Sequence, residues 1–343
     1  TDESTELSLY NLDDDFPENV TVAVSSSNTG EATVDTTNLT FTPDNWMNAQ
    51  TVSVTGVDDD DMDGHREYKV GLSAEILTAL SAGTNWADRK DPNDDIPWAF
   101  FGVSYGNGIF VAVGDSGAVY TSSDGSSWVA SQNSDNYALH GVSYGNGIFV
   151  AVGYQGVIVT SSDGTYWERN YDSGTEGYQL NGITFGNGIF VAVGDSGVIY
   201  TSTDGDEWRR ASSPSWNPLN DVTFGDGTFV AVGNEGKIYT SSDGTEWVAS
   251  TTPPDAVYDT LNGVSYGQGS FVAVGSYGAT LTSSDGGASW TRHYSSNTPS
   301  DLNGVSYGQG IFVAVGSDET IITSSDGGVN WTPIHSTSSG GYR

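Results

Sequence analysis

Apolar and polar residues alternate along this chain in two different ways, and the change falls near residue 79. Up to about residue 78 the apolar residues come in short alternating runs: Val20-Thr-Val-Ala-Val24, Leu39-Thr-Phe41, Thr51-Val-Ser-Val-Thr55 and Tyr68-Lys-Val-Gly-Leu72. Turn residues bound each run. A period of two marks half-buried strands, so residues 1–78 are expected to form a small antiparallel β-sandwich. From about residue 96 the pattern becomes one phrase used six times with small changes: Gly-Val-Ser-Tyr-Gly-x-Gly-x-Phe-Val-Ala-Val-Gly, a short turn, then Thr-Ser-Ser-Asp-Gly-x-x-Trp. The closing tryptophans are Trp128, Trp167, Trp208, Trp247, Trp290 and Trp331, spaced 39 to 43 residues apart. That period fits one blade of a β-propeller.

Each unit divides into four strands. In the second unit, strand A covers Leu139-His-Gly-Val-Ser-Tyr144, strand B Ile148–Val152 and strand C Val157–Thr160, and strand D starts at Trp167. Strand B is apolar on both faces, as a sheet requires when a neighbour covers each side. A single unit cannot bury both faces, so the units must stack. The expected architecture is therefore all-β: a small antiparallel β-sandwich (1–78), a linker (79–95) and a β-propeller (96–343). Six full units give six blades. Trp86 lies 42 residues before Trp128, in phase with the repeat, and this orphan strand leaves seven blades open.

The turn between strands C and D carries a family resemblance. Ser283-Ser-Asp-Gly-Gly-Ala-Ser-Trp290 and Ser324-Ser-Asp-Gly-Gly-Val-Asn-Trp331 resemble the Asp-box of the bacterial neuraminidase repeat, and the other four copies are one residue shorter. The resemblance spans residues 80–336 and implies a propeller like those of sialidases, sortilins and photosystem II assembly factors. It gives Asp124, Asp163, Asp204, Asp243, Asp285 and Asp326 a structural role, accepting backbone N–H bonds across the turn. A device present six times is a fold element rather than six catalytic sites.

In the first part, Leu39-Thr-Phe-Thr-Pro-Asp-Asn-Trp46, Gln50-Thr-Val-Ser-Val-Thr-Gly-Val-Asp-Asp59 and Asp63-Gly64 resemble Calx-β-like domains of bacterial surface proteins, over residues 6–75. An additional N-terminal strand usually precedes this part in that family; without it a sheet edge is left open to association. The resemblance implies Ca²⁺ binding by acidic loops. Candidate ligands are Asp13, Asp14 and Asp15, and Asp58, Asp59, Asp60, Asp61 and Asp63. Hard oxygen ligands at this density suit Ca²⁺, and a merely solvated acidic loop accounts for the same residues equally well.

Charge narrows the partners. Formal net charge is −34 with only 10 Lys and Arg, a field that repels nucleic acid and anionic membranes. The chain holds no cysteine, which excludes disulfides and thiolate metal sites, and no apolar run long enough for a membrane helix. It begins at Thr1 without a signal-like segment, which is read as a secreted, mature or excised chain.

Enzyme chemistry finds little support. A sialidase holds its substrate carboxylate with inner-strand arginines, whereas Arg89, Arg169, Arg209, Arg210 and Arg292 each follow a repeat tryptophan by one to three residues and so fall on outer strand D. His140 occupies the slot that holds Asn181, Asn220, Asn262 and Asn303 in other units. The units differ most in their D–A loops, where Trp98, Tyr137, Tyr178, Trp216 and Tyr258 form a ring of aromatics. These either stack on sugars or a partner protein, or cap the core between blades. The expected function is a non-catalytic, extracellular or cell-surface structural or adhesive protein of a bacterium. It is expected to self-assemble into a homopolymer, a filament or surface layer, through strand exchange or the sandwich edge. Binding of glycans or other surface proteins in the manner of a lectin is the alternative, with glycoside hydrolysis more remote.

Overall fold

The computed structural model describes the strands of an N-terminal unit and residues 99–335, apart from 134–135, 171–173 and 294–299. The chain divides into two compact units, residues 1–82 and 83–343. The first contains β1 (Glu3–Leu7), β2 (Val20–Ser26), β3 (Ala32–Val34), β4 (Asn38–Phe41), β5 (Gln50–Gly56) and β6 (Val70–Glu75). These form two three-stranded antiparallel sheets, ordered β1-β5-β3 and β4-β2-β6. How the expected sandwich packs, the linker 79–95 and the orphan strand at Trp86 lie outside the described residues.

The second unit holds a six-bladed β-propeller, each blade an antiparallel meander from inner strand A to outer strand D. Blade 1 uses Phe100–Gly106, Ile109–Gly114, Val119–Ser122 and Val129–Ala130. Blade 2 uses Leu139–Gly145, Ile148–Gly153, Ile158–Ser161 and Tyr166–Arg169. Blades 3 to 6 begin at Leu180, Leu219, Leu261 and Leu302. A register shift follows the first residue of every strand A, as between Leu139 and Gly141. The chain leaving a blade also latches onto the next one: Gln132–Asn133 pairs parallel with Tyr166–Trp167, and single bridges join Ser212 to Glu246 and Thr251 to Ser289.

The core lies between blades, in five clusters for six blades. Side chains alternate along strand B, so Phe149 and Ala151 of blade 2 face Val111, Val113 and Val119 of blade 1. On its other face Val150 and Val152 meet Leu180, Ile183 and Phe190 of blade 3. This double burial is the reason strand B lacks polar residues. Shape adds register. A Cβ on Gly145 would lie 2.1 Å from the Phe185 ring of blade 3, because that ring sits directly on the glycine. The same close approach pairs Gly106 with Tyr144, Gly186 with Phe224, Gly225 with Tyr266 and Gly267 with Tyr307. Hydrogen bonds staple the inner strands alongside: Asn181 Nδ2 donates to Leu219 O (2.9 Å), Asn220 Nδ2 to Leu261 O (2.8 Å) and Asn262 Nδ2 to Leu302 O (2.8 Å).

Among the described residues the series has two uncovered ends. Inner strands pack in succession from the first blade to the sixth, and among the described residues no comparable packing joins the sixth to the first. Val103 in blade 1 is 64% exposed, while Val142 in the same slot of blade 2 is 7% exposed. At the other end a Cβ on Gly308 of blade 6 would meet no atom within 4 Å. Phe190→Ala, which empties a fully buried slot, is expected to cost about 3–5 kcal/mol in urea unfolding. Val103→Ala is expected to stay within about 0.5 kcal/mol of the parent; a comparable loss at Val103 would mean that this end of the propeller is covered.

Candidate functional site

Two ends of the strands must be distinguished. One end carries the A–B and C–D turns, the other the B–C turns and the long D–A loops, and the candidate residues divide between them.

At the C–D end the six Ser-x-Asp-Gly turns are self-contained. Asp163 Oδ1 accepts the N–H groups of Thr165 (2.8 Å) and Tyr166 (3.3 Å), and Ser161 Oγ accepts that of Gly164 (2.8 Å). Gly164 takes φ +76°, which an L side chain rarely adopts, and a Cβ there would run into Ile109 and press on Val111 and Thr121 of the preceding blade. Trp167 Nε1 then donates to Gly164 O at 2.8 Å, and Trp208, Trp247, Trp290 and Trp331 repeat that bond. In the longer turns Asp285 holds the Ser289 hydroxyl (2.6 Å) and N–H (2.9 Å), and Asp326 the side-chain amide of Asn330 (2.7 Å). These bonds stabilise the charged carboxylate. The N–H of Thr165 foremost holds Asp163 down at about 2, that of Glu246 does so for Asp243, and the Ser289 hydroxyl for Asp285. Asp124 and Asp204 are likewise lowered, chiefly by the N–H groups of Ser127 and Asp206. Each such carboxylate is consumed by its own turn.

At the loop end three arginines brace loops, while Arg209 stays exposed beside Glu207. The Arg169 guanidinium lies 5.1 Å from the ring centre of Tyr137, and Arg210 5.2 Å from that of Tyr178. Arg292 pairs with the buried carboxylate of Asp259 and also donates to Asp255 O (3.3 Å). Burial raises the Asp259 carboxyl, and the Arg292 charge opposes that rise. In each case an outer-strand arginine holds the loop that entered its own blade, so a cation–π contact or an ion pair fixes the loop's path.

The aromatic ring of the loops separates into different roles. Tyr178 packs against the core between blades 2 and 3. Tyr137 is 38% exposed and tilts against Tyr154, with 6.1 Å between ring centres. Trp216 is 78% exposed. Tyr258 ends the turn Pro254–Tyr258, and Trp98 lies outside the described residues. Sequence reasoning missed Tyr154 and Tyr277, which stand on B–C turns. Tyr277 holds φ +56° and is 77% exposed. A bulky residue in a Gly-x-Tyr-Gly turn, at a position other units fill with Ser196 or Glu235, was the available signal.

Inner-strand polar groups serve the stack. His140 Nδ1 lies 2.9 Å from Leu180 O, taking the stapling role of the asparagines; on outer strand D of blade 5, His293 Nε2 lies 2.8 Å from Thr282 Oγ1 of the same blade. Asp221 stands where the other five blades have glycine. Its carboxylate accepts Val222 N–H (2.8 Å) and Val264 N–H of the next blade (2.9 Å). Burial nevertheless raises its pKa to about 6. The acidic candidates Asp13, Asp14, Asp15, Asp58, Asp59, Asp60, Asp61 and Asp63 lie outside the described residues. Among the described residues no group of acidic and histidine side chains is arranged to hold a metal, and no helix is long and apolar enough to cross a membrane.

Residues 173–307 match the family model of the DUF6242 beta propeller domain. No curated protein matches the chain. Solved structures show the same fold. YCF48 from Cyanidioschyzon merolae is 16% identical with a TM-score of 0.56, over 69% of this chain and 85% of that one. A structure of YCF48 bound to D1 peptide is 17% identical with a TM-score of 0.56, over 70% and 85%. Virginiamycin B lyase from Staphylococcus aureus is 12% identical with a TM-score of 0.57, over 68% and 84%.

Two predictions follow from these contacts. The lowered turn carboxyls contribute stability that is complete above about pH 4 and lost as pH falls towards about 2. Asp221 has the opposite sign: its raised pKa favours the folded state when protonated, so its contribution declines as pH rises from about 4 to about 6. The thermal midpoint of the parent should fall steeply below about pH 4, and Asp221→Gly should flatten the decline from about pH 4 to about 6 while leaving the acid limb. An unchanged profile would show that Asp221 is not desolvated. Separately, Tyr178→Ala is expected to lower stability by about 1–3 kcal/mol and Trp216→Ala by less than about 0.5 kcal/mol in denaturant melts. Equal losses would make both residues core caps.

Proposed function

We propose that this chain is a non-catalytic, protein-binding assembly protein of a bacterial surface or extracellular setting, with the propeller as its docking element. The observation that carries this reading is the exposure of apolar surface on a chain of net charge −34: Phe100, Phe101, Val103 and Tyr105 are 41%, 54%, 64% and 49% exposed on one strand. An acidic chain has every means to cover such a strand with charge, and exposed apolar surface of this kind marks a docking site. The commitment of Arg169, Arg210 and Arg292 to loop bracing supports a binding role over the capture of a substrate carboxylate. YCF48, which shares the fold, is described as bound to a peptide, and this favours a polypeptide as partner.

A second reading, glycan binding, is favoured by Trp216 and Tyr277, 78% and 77% exposed, and by the partly exposed Tyr137–Tyr154 pair at the loop end. In either reading Ca²⁺ held by the acidic loops of the first unit would stiffen it and offset its charge.

Electron microscopy of the full chain, in Ca²⁺ and again in chelator, tests the assembly reading. Regular filaments or layers are expected in Ca²⁺, and their loss in chelator would assign the metal a part. Isolated particles in both conditions would overturn it, and a glycan array with hits abolished by Trp216→Ala would replace it with the second reading.

A further inference from the structure

The two uncovered ends of the propeller are complementary halves of the contact already made five times within it. In each internal contact the later blade offers an aromatic from the end of strand A, and the earlier blade offers the glycine it sits on, as Tyr144 sits on Gly106 and Tyr307 on Gly267. Blade 1 presents the aromatic without a glycine: Tyr105 is 49% exposed. Blade 6 presents the glycine without an aromatic: nothing lies within 4 Å of a Cβ built on Gly308.

Three further elements match in the same sense. Val103 takes the slot of Val142, which is buried against blade 1. Its counterparts on the earlier blade, Val111 and Val113, correspond to Val313 and Val315 of blade 6; Val313 is half-buried and Val315 43% exposed. Asn303 continues the series Asn181, Asn220 and Asn262, each of which donates to the first strand-A carbonyl of the next blade; it is exposed, and the carbonyl it would meet is that of Phe100. The turn glycine of each later blade presses on strands B and C of the earlier one, as Gly328 presses on Val272 and Thr282, whereas Gly125 of blade 1 touches only Phe110 of its own blade.

We propose that the blade 6 face of one copy docks on the blade 1 face of a second copy, reproducing the internal contact between chains. This deepens the assembly reading and rests on it, and it relocates the contact from the sandwich edge or an exchanged strand to the two blade faces. In sequence, Trp86 matches the tryptophan at the start of strand D in each unit, whereas the blade 1 face needs equivalents of the B and C strands that bury Val142. The contact joins unlike faces, so it is heterologous: it builds a ring where the rotation between copies closes and otherwise a filament that ends at a copy lacking one face. The apolar slots themselves hold no charge, whereas the chain carries −34. Screening of that self-repulsion should therefore strengthen docking as salt rises.

Two single variants and their mixture form the test. Val103→Asp charges the blade 1 face at an exposed position. Gly308→Trp fills the slot on blade 6 from a glycine whose surroundings are empty and whose backbone is not left-handed. Near-UV circular dichroism and the thermal midpoint check that both fold as the parent does. In sedimentation of the full chain with Ca²⁺ present, at about 0.15 M and about 1 M NaCl, the parent is expected to associate, more so in the higher salt. Each variant alone is expected to remain monomeric. Their equimolar mixture is expected to form a species of twice the monomer mass and no larger, because each retains the face the other has lost. Variants that assemble like the parent would overturn this interface and leave the assembly reading standing. A monomeric parent would overturn both, as when one chain closes blade 1 on its own blade 6. A mixture that stays monomeric while the parent associates would exclude head-to-tail docking.

Discussion

The rest of the second unit depends on one contact, an aromatic ring of one blade seated on a glycine of the blade before it. The pairs Tyr144 on Gly106 and Phe185 on Gly145 set the distance between inner strands. At that distance strand B can bury valines on one side and phenylalanine and alanine on the other. Glycine is required there because any Cβ would occupy the ring's position. Apolar burial supplies the bulk of the free energy, while the ring, the glycine and the asparagine staple supply the register. Each contact fixes only neighbouring blades, so stability accumulates blade by blade, as in other repeat proteins.

The outer part of each blade is held by a different device, and the two devices do not compete for residues. The Ser-x-Asp-Gly turn closes strands C and D with its own serine and aspartate. It thereby frees the tryptophan to lie over the strand B phenylalanine, 6.3 Å between ring centres for Phe149 and Trp167. Its glycine presses on the previous blade. With the turns satisfied internally, variation is left to the loop end, where arginines on strand D hold individual loops in place. Binding surfaces on a propeller can therefore change without disturbing the stack, which is how one fold carries unrelated activities.

The repeat was legible in the sequence because its period, its apolar strand B and its turn glycines all express local geometry. The four strands of each blade follow the repeat, and strand D begins within one residue of each tryptophan. Less visible was everything that depends on what a residue meets. Tyr105 and Tyr144 occur in identical local phrases, Val-Ser-Tyr-Gly-Asn-Gly, yet only one of them has a glycine to sit on. The asparagine slot was recognisable as a slot, but its role as a donor across blades appears only when Leu219 O and Leu261 O come within reach. The aromatic loop residues read alike from sequence, and the structure separates Tyr178, against the core, from Trp216, in solvent. Asp221 also escaped notice, since a carboxylate replacing glycine is conspicuous only once the backbone N–H groups around it are seen.

Hydroxyl-radical footprinting of the dilute, monomeric chain reads directly whether the propeller's ends are open. Tyr105, Tyr144, Tyr266 and Tyr307 occupy one position in four blades, so each reports on its own blade with the others as internal controls. An open propeller predicts that Tyr105 is oxidised several-fold faster than the other three. Equal protection at all four would mean that blade 1 is covered within a single chain, and would contradict the account.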